Sequence, residues 1–325
     1  MNIVVIGLGS MGRRRIRLLQ NIAMHDRIIG VDTNEIRVST ISEQYKITCY
    51  KSLAEADETI DIQVAFVCTS PISHHTIITE CLTRGWHVFT EINLIADDYE
   101  QNIRLAREKQ LVLFLSSTPI YRAEMKTITR QLQDRKLPVN YIYHVGQYLP
   151  DWHPWEDFTQ FFVGDKRTNG CREIFAIELP WIIKAFGEVM DIHVIHNRIT
   201  KLPIDYDDNY LVQLLHADGT SGVLCVDVAC RQAVRHLEIY NEQIFLEWQG
   251  TPETLRSKNL VTGEMEQVTM ITDYVREANY SEFVNEYAYA CEIQEFFEVL
   301  QTGKAMQYSM EEDVKTLTLI DQIER

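Results

Sequence analysis

The sequence predicts an α/β fold in which a doubly wound parallel sheet is followed by an α+β domain built on a mostly antiparallel, open sheet. Three observations predict it. Short apolar runs alternate with helical stretches through roughly the first 120 residues, a glycine-rich turn joins the first run to the first helix, and period-two alternation dominates later in the chain. At 325 residues there is material for two domains, expected at 1–121 and 122–325, with a C-terminal helix that can pack back on the first.

"NIVVIG" at the start is a continuous apolar run, the pattern of a parallel strand buried on both faces. "GLGSMG" follows and opens a helix with Ile16, Leu18, Leu19 and Ile22 on its apolar side. Gly7, Gly9 and Gly12 make G-x-G-x-x-G in the strand–turn–helix setting that a dinucleotide site requires, with Ser10 and Met11 between the last two glycines. A second run, "RIIGV", ends in Asp32, 20 residues past Gly12. A carboxylate there accepts hydrogen bonds from ribose hydroxyls and repels a 2′-phosphate, so NAD is the expected cofactor; Arg37 nearby keeps NADP as the lesser alternative.

The alternation continues through a strand "DIQVAFVC", a helix over 72–84, a strand "WHVFT", a helix over 97–109 and a strand "LVLFLS". Ligands on such sheets bind at the carboxyl ends of the strands. Those ends carry Thr69, Ser70, Pro71 and His74 in "CTSPISHH", then Glu91 to Asn93, then "SSTPIYR".

The net charge of −16 and pI of about 5.1 argue against a nucleic-acid partner. The cationic cluster Arg13, Arg14, Arg15 and Arg17 is expected on the solvated side of its helix. Seven scattered cysteines, several within apolar runs, read as reduced thiols and point to a cytoplasmic setting. The chain enters a strand at once and has no apolar run of membrane-spanning length, so neither export nor a membrane is expected.

In the second half the pattern predicts a helix over 122–135, a strand, a loop, a long helix over 171–186, and alternating strands with a hairpin at Asp218-Gly219. His193 and His196, three apart in a strand-like segment, point to opposite faces, so no metal is expected there or elsewhere. The loop "YLPDWHPWED" gathers Trp152 and Trp155, a platform for a sugar ring, and His153, which beside Asp151 can titrate near neutral pH. The competing reading has the tryptophans pinning the loop and His153 at the surface.

"GLGSMG" with Asp32, "VCTSPISHH", "HVFTE", "SSTPIYR", the helix "REIFAIELPWIIKAFGEVMDI" and the terminal "EIQEFFEVLQTGKAMQYSMEEDVKTLTLID" together resemble the Gfo/Idh/MocA oxidoreductases over nearly the whole length. The resemblance implies a nicotinamide-dependent enzyme acting on a small carbohydrate, assembled as a homodimer or homotetramer through the second sheet. It places Glu91 at the nicotinamide end of the cofactor site, gives His74 a structural or nicotinamide-side role, and puts Tyr121 and Arg122 in the substrate pocket, with Tyr121 an alternative acid. The family's Glu-Lys-Pro lysine is replaced by Ile92, and its helix histidine falls at Ile177.

Both usual proton carriers are therefore missing, and without a positioned base the step loses roughly two to four orders of magnitude. Glu173 and Glu178 are the next candidates; five apart, they cannot share one narrow helix face, so Glu173, one turn before Ile177, is the substitute, while Glu178 is expected to bind substrate beside Arg172, which is suited to a carboxylate or phosphate. A capping or solvent-facing role for the two glutamates stands beside this. The "REIFAIELPW" helix resembles companions of surface-polysaccharide biosynthesis. Two readings follow: a sugar, sugar-nucleotide or sugar-acid oxidoreductase with a non-standard acid–base set drawn from His153, Glu173 and Tyr121, or a non-catalytic NAD-binding sensor, regulator or assembly partner on the same fold.

Overall fold

The computed structural model describes all residues except 134, 153, 155, 156, 271–282 and 284. The chain divides into two compact units, one of Met1–Ser117 with Tyr289–Lys315 and the other of Thr118–Ala288 with Thr316–Arg325.

The first unit alternates strand and helix: β1 (Asn2–Ile6), α1 (Ser10–Ile22), β2 (Arg27–Val31), α2 (Glu35–Tyr45), β3 (Thr48–Tyr50), α3 (Leu53–Thr59), β4 (Val64–Val67), α4 (Pro71–Thr83), β5 (His87–Thr90), α5 (Tyr99–Glu108) and β6 (Leu113–Leu115). The strands form one parallel sheet in the order β3-β2-β1-β4-β5-β6. The strand order reverses between β1 and β4, and their carboxyl ends flank the crevice where such sheets take ligands. Apolar runs form these strands because both faces are covered: Val4, Val5, Val64, Ala65, Phe66 and Phe89 are fully buried. Phe66, Phe89 and Phe114 stack across neighbouring strands with centroids 4.7 and 5.2 Å apart, and Phe296 from the C-terminal part of the unit meets all three edge-on.

The second unit contains α6 (Ala123–Gln133), β7 (Asn140–Gly146), α7 (Gly170–Phe186), β8 (Val189–Asn197), β9 (Asn209–His216), β10 (Ser221–Asp227), β11 (Val234–Tyr240), β12 (Phe245–Trp248), β13 (Arg256–Lys258) and β14 (Met265–Gln267). Two C-terminal helices, α8 (Glu286–Thr302) and α9 (Met310–Ile323), complete the chain. The sheet order is β14-β13-β12-β11-β7-β10-β9-β8, antiparallel except where β7 runs parallel to β10.

Period two decides the faces of this sheet. Tyr141, Tyr143 and Val145 point inward, where Tyr141 stacks on Phe186 at 4.2 Å and Tyr143 meets Trp181 edge-on at 5.5 Å, so α7 covers this face. Alternate residues point the other way, and Ile142, Ile195, Leu211, Leu215 and Val223 are 42–57% exposed. His193 and His196 do face opposite ways: His193 is exposed and His196 is half-buried on Asp207 at 2.6 Å.

One expectation fails in the first unit. Of the cationic cluster only Arg13 is exposed; Arg14 is 4% and Arg15 0% exposed. The 3.6-residue period places Arg15 on the same face as Gly12, Ile16 and Leu19, all buried, and the charge is tolerated because carboxylates meet it there.

Candidate cofactor and catalytic site

The glycines of "GLGSMG" do separate jobs. Gly7 turns the chain at φ +89°, and a Cβ there would lie 2.7 Å from the Cys68 carbonyl oxygen. Gly12 packs α1 on the turn so closely that a Cβ would sit 1.9 Å from the Gly7 carbonyl oxygen. Gly9 has nothing within 4 Å of a Cβ position, and it caps α1 without any side-chain hydrogen bond to the first turn. A tight turn, close packing and one open position, with Ser10 and Met11 starting the helix, fit a pyrophosphate approaching the helix N-terminus.

Asp32 is held beside this turn: Oδ2 accepts from the Leu8 backbone N–H and Oδ1 from that of Asn34, both at 2.8 Å. Each oxygen keeps a lone pair, which suits ribose hydroxyls. Arg37 Nη1 lies 3.6 Å from Oδ2, so the expected arginine is in place as well. The residues present fit a dinucleotide.

At the end of β4, Ser70 and Pro71 start α4, and Ser73 bonds the Thr69 hydroxyl at 2.9 Å. His74 is buried, which lowers its pKa and favours the neutral ring. It lies 2.9 Å from the Thr69 carbonyl oxygen and 2.6 Å from the Asn93 side-chain amide, tying the end of β4 to the chain beyond β5.

Glu91 is equally committed. Its carboxylate receives Arg15 in a two-pronged contact, Nε to Oε1 at 2.6 Å and Nη2 to Oε2 at 3.0 Å. The same Nη2 reaches Glu292 at 2.9 Å and Ser116 at 3.2 Å, while Glu292 also accepts from the Ser117 backbone N–H at 2.6 Å. The guanidinium lies over the Phe89 ring at 4.5 Å and near that of Tyr289 at 5.2 Å. Burial works against the arginine's charge, but the carboxylates outweigh it and hold the proton more firmly than usual. Sequence reasoning missed Arg15 and Glu292; the helical period, which puts Arg15 on the face of Gly12, Ile16 and Leu19, was the signal that could have found Arg15, but nothing local linked it to a residue 277 positions away. Between Glu91 and Asn93, Ile92 brings no proton carrier to this strand end.

In the second unit, Tyr121 closes a 3-10 turn and is 2% exposed, with the Lys126 ammonium 5.7 Å from its ring centroid. Arg122 gives Nη2 to Glu124 and to the Gly250 carbonyl, both at 2.6 Å, and stacks on Trp248 at 5.0 Å. Arg172 is paired with Asp321 at 2.7 Å and with Glu324. Glu178 accepts from Tyr143 at 2.8 Å and Trp181 at 2.6 Å and faces Arg235 at 2.8 Å. These residues all bind their own unit.

Trp152 donates Nε1–H to the Gln147 carbonyl at 3.0 Å, and its ring comes within 3.5 Å of a Cβ position at Gly170, so it pins the loop against α7. His153 and Trp155 lie outside the described residues.

Glu173 stands apart. It sits in the first turn of α7, which Asn169 caps by accepting from the Arg172 backbone N–H at 2.8 Å. Burial pushes its carboxyl up to about 7, and among the described residues Oε2, sealed from solvent, has no hydrogen-bond partner. Ile177, one turn on, shares its half-buried stripe on an otherwise well-buried helix. A carboxyl that titrates near neutrality with one free oxygen is equipped to exchange a proton.

Residues 1–117 match the model of the Gfo/Idh/MocA oxidoreductase family, NAD-binding Rossmann fold. No curated protein matches the sequence. Among solved structures the chain is similar to UDP-N-acetylglucosamine 3-dehydrogenase GnnA from Acidithiobacillus ferrooxidans, at 16% identity and TM-score 0.76, covering 100% of this chain and 96% of that one. It is similar to levoglucosan dehydrogenase in complex with NADH and L-sorbose, at 13% identity and TM-score 0.80, covering 99% and 95%. Biliverdin reductase from Synechocystis sp. PCC 6803, in complex with biliverdin and NADP+, is similar at 16% identity and TM-score 0.75, covering 99% and 97%. At these identities the likeness is one of fold. Among the described residues no helix is long and apolar enough to cross a membrane. The match over residues 1–117, the stretch that holds the glycine turn, Asp32 and the reversal between β1 and β4, identifies that part of the chain as the NAD-binding Rossmann fold of the Gfo/Idh/MocA oxidoreductase family.

Proposed function

We propose that the chain is an NAD-dependent oxidoreductase acting on a hydroxyl of a sugar, sugar nucleotide or sugar acid, with Glu173 in place of the missing lysine and histidine. The observation that carries this reading is the Glu173 carboxyl itself, held at about 7 with Oε2 unpartnered among the described residues. A bound nicotinamide supplies the hydride acceptor. With substrate and cofactor bound, the hydride would leave the substrate carbon for the nicotinamide, and the Glu173 carboxylate would accept the hydroxyl proton as the carbonyl forms. Tyr121 and His153 remain alternative acids in this proposal. Two solved relatives that act on carbohydrates support the substrate class, and a role in surface-polysaccharide biosynthesis belongs to the same proposal. Asp32 favours NAD, with Arg37 keeping NADP in play. The apolar outer face of the second sheet, with Ile195, Leu211 and Val223 exposed, suits a homodimer or homotetramer built through that sheet.

A second reading, a non-catalytic NAD-binding sensor or assembly partner, is favoured by the end of β5, where Glu91 is tied to Arg15 and Asn93 to His74. One assay separates them. Protein with bound NAD is mixed with a panel of sugars, sugar nucleotides and sugar acids while reduced-nicotinamide absorbance is followed. A rise that Glu173→Gln abolishes supports the enzyme and its base; no rise with NAD and no fall when NADH is offered with the carbonyl forms supports the sensor.

A further inference from the structure

The outer face of the second sheet holds a cluster that the cofactor and catalytic residues do not use. On β10, Cys225 and Asp227 are alternate residues and point to the same side. β7 runs parallel beside it, with His144 in register with Cys225 and Gly146 in register with Asp227. One imidazole nitrogen, the thiol sulfur and one carboxylate oxygen lie within 4.8 Å of one another.

The backbone prepares this arrangement. Asp227 Oδ1 accepts from the Ala229 and Cys230 backbone N–H groups at 2.9 and 2.6 Å, which leaves Oδ2 aimed across the strand at His144 Nε2, 2.7 Å away. The carboxylate can lie there only because Gly146 has no side chain: a Cβ at that position would be 2.3 Å from Oδ2. His236, across β11 from His144, faces the same surface, with Glu238 and Glu247 at 3.5 and 3.8 Å from its Nε2.

We infer that His144, Cys225 and Asp227 form a binding site for a borderline-soft divalent cation of the zinc class. Imidazole, thiolate and carboxylate are the donors that Zn²⁺ and Co²⁺ take in tetrahedral sites, and three protein ligands leave the fourth position to water. The two backbone donors on Asp227 Oδ1 are outer-sphere support of the kind that fixes a ligating carboxylate. An entering cation takes the place of the proton between His144 and Asp227 and displaces the thiol proton. This goes beyond the metal-free expectation, which weighed only His193 and His196. These three residues come from two strands more than 75 positions apart in sequence and meet only through the β7–β10 register.

The test uses the full chain, stripped with a chelator, fully reduced and titrated anaerobically with Co²⁺. The expected result is a thiolate-to-cobalt charge-transfer band with intense tetrahedral d–d bands, saturating at about one equivalent per chain and bleached by Zn²⁺. Cys225→Ser and His144→Ala should abolish the band, whereas Cys230→Ser, which removes the neighbouring thiol, should leave it intact. Gly146→Ala replaces no ligand but pushes the Asp227 carboxylate aside, and should weaken binding by about 10–100-fold. Circular dichroism and NAD affinity of each variant report its fold. Absence of a thiolate band in the parent chain, or a band that survives Cys225→Ser, overturns the inference.

Discussion

Arg15 and Glu91 form a two-pronged ion pair inside the first unit, with Arg15 fully buried and contacts of 2.6 and 3.0 Å. Glu292 meets the same guanidinium at 2.9 Å, so one buried arginine holds the end of β5 to α8. Removing one member of such a group leaves a buried charge uncompensated. Arg15→Met should therefore cost about 3–5 kcal/mol in urea unfolding, because two carboxylates lose their counter-charge. A loss under about 1 kcal/mol would show that water reaches the pair and screens it.

Gly9 and Gly12 should separate binding from folding. Gly9→Ala meets no atom within 4 Å, so the protein should fold with unchanged thermal stability while NAD affinity falls, because the added methyl occupies the approach to the helix N-terminus. Gly12→Ala forces a contact at 1.9 Å with the Gly7 carbonyl and should destabilise the fold itself. Calorimetric titration beside thermal melts reads both, and equal effects of the two substitutions would contradict the division of roles.

Asp32 and Arg37 are expected to set the choice between the nicotinamide cofactors. Asp32→Ala removes hydrogen bonds to a charged acceptor, worth about 1.5–3 kcal/mol, so NAD should bind about ten- to a hundredfold more weakly, with NADP far less affected. Arg37→Ala should sharpen the preference for NAD, since it removes the cation nearest the carboxylate at 3.6 Å. Dissociation constants for both cofactors on three proteins decide the matter.

Glu173 carries a pH signature that needs no substrate. Its carboxyl is raised from 4.5 to about 7 by burial. Between those values the native state keeps a proton that the unfolded chain releases, so stability falls as pH rises through that window. Below both values the group is neutral in either state and contributes nothing. Glu173→Gln should thus be more stable than the parent at about pH 8, with the difference vanishing near about pH 4. Melts across this range check it, and a pH-independent difference would mean that burial does not hold the proton.

Arg172 is expected to act through the C-terminus. It binds Asp321 at 2.7 Å and also Glu324, and its side chain is 7% exposed. Arg172→Ala should lower the melting temperature and free the C-terminal turn to rapid amide exchange. If substrate KM rises while the melt and exchange stay unchanged, the ion pairs are incidental and Arg172 serves the substrate.

The sequence by itself determined whatever is encoded by neighbours along the chain. "NIVVIG", the three glycines and Asp32 lie within a few turns of one another, and their periodicity and spacing fix strand, turn, helix and the acidic strand end before any distant contact forms. The hairpin at Asp218-Gly219 and the alternation that sorts β9 and β10 into two faces are local in the same sense. Tertiary structure decided the partners. Arg15 read as solvated because charge alone was weighed, whereas Glu292, 277 residues away, is what makes its burial tolerable. Arg122, Arg172 and Glu178 are expected from the sequence to bind substrate; only the packed structure shows that Glu124, Asp321 and Arg235 pair with them. A titrating carboxylate and a potential cation site depend on desolvation and on register between strands. Both are set by packing across the fold, so Glu173 at about 7 and the meeting of His144 with Cys225 and Asp227 could be decided only there.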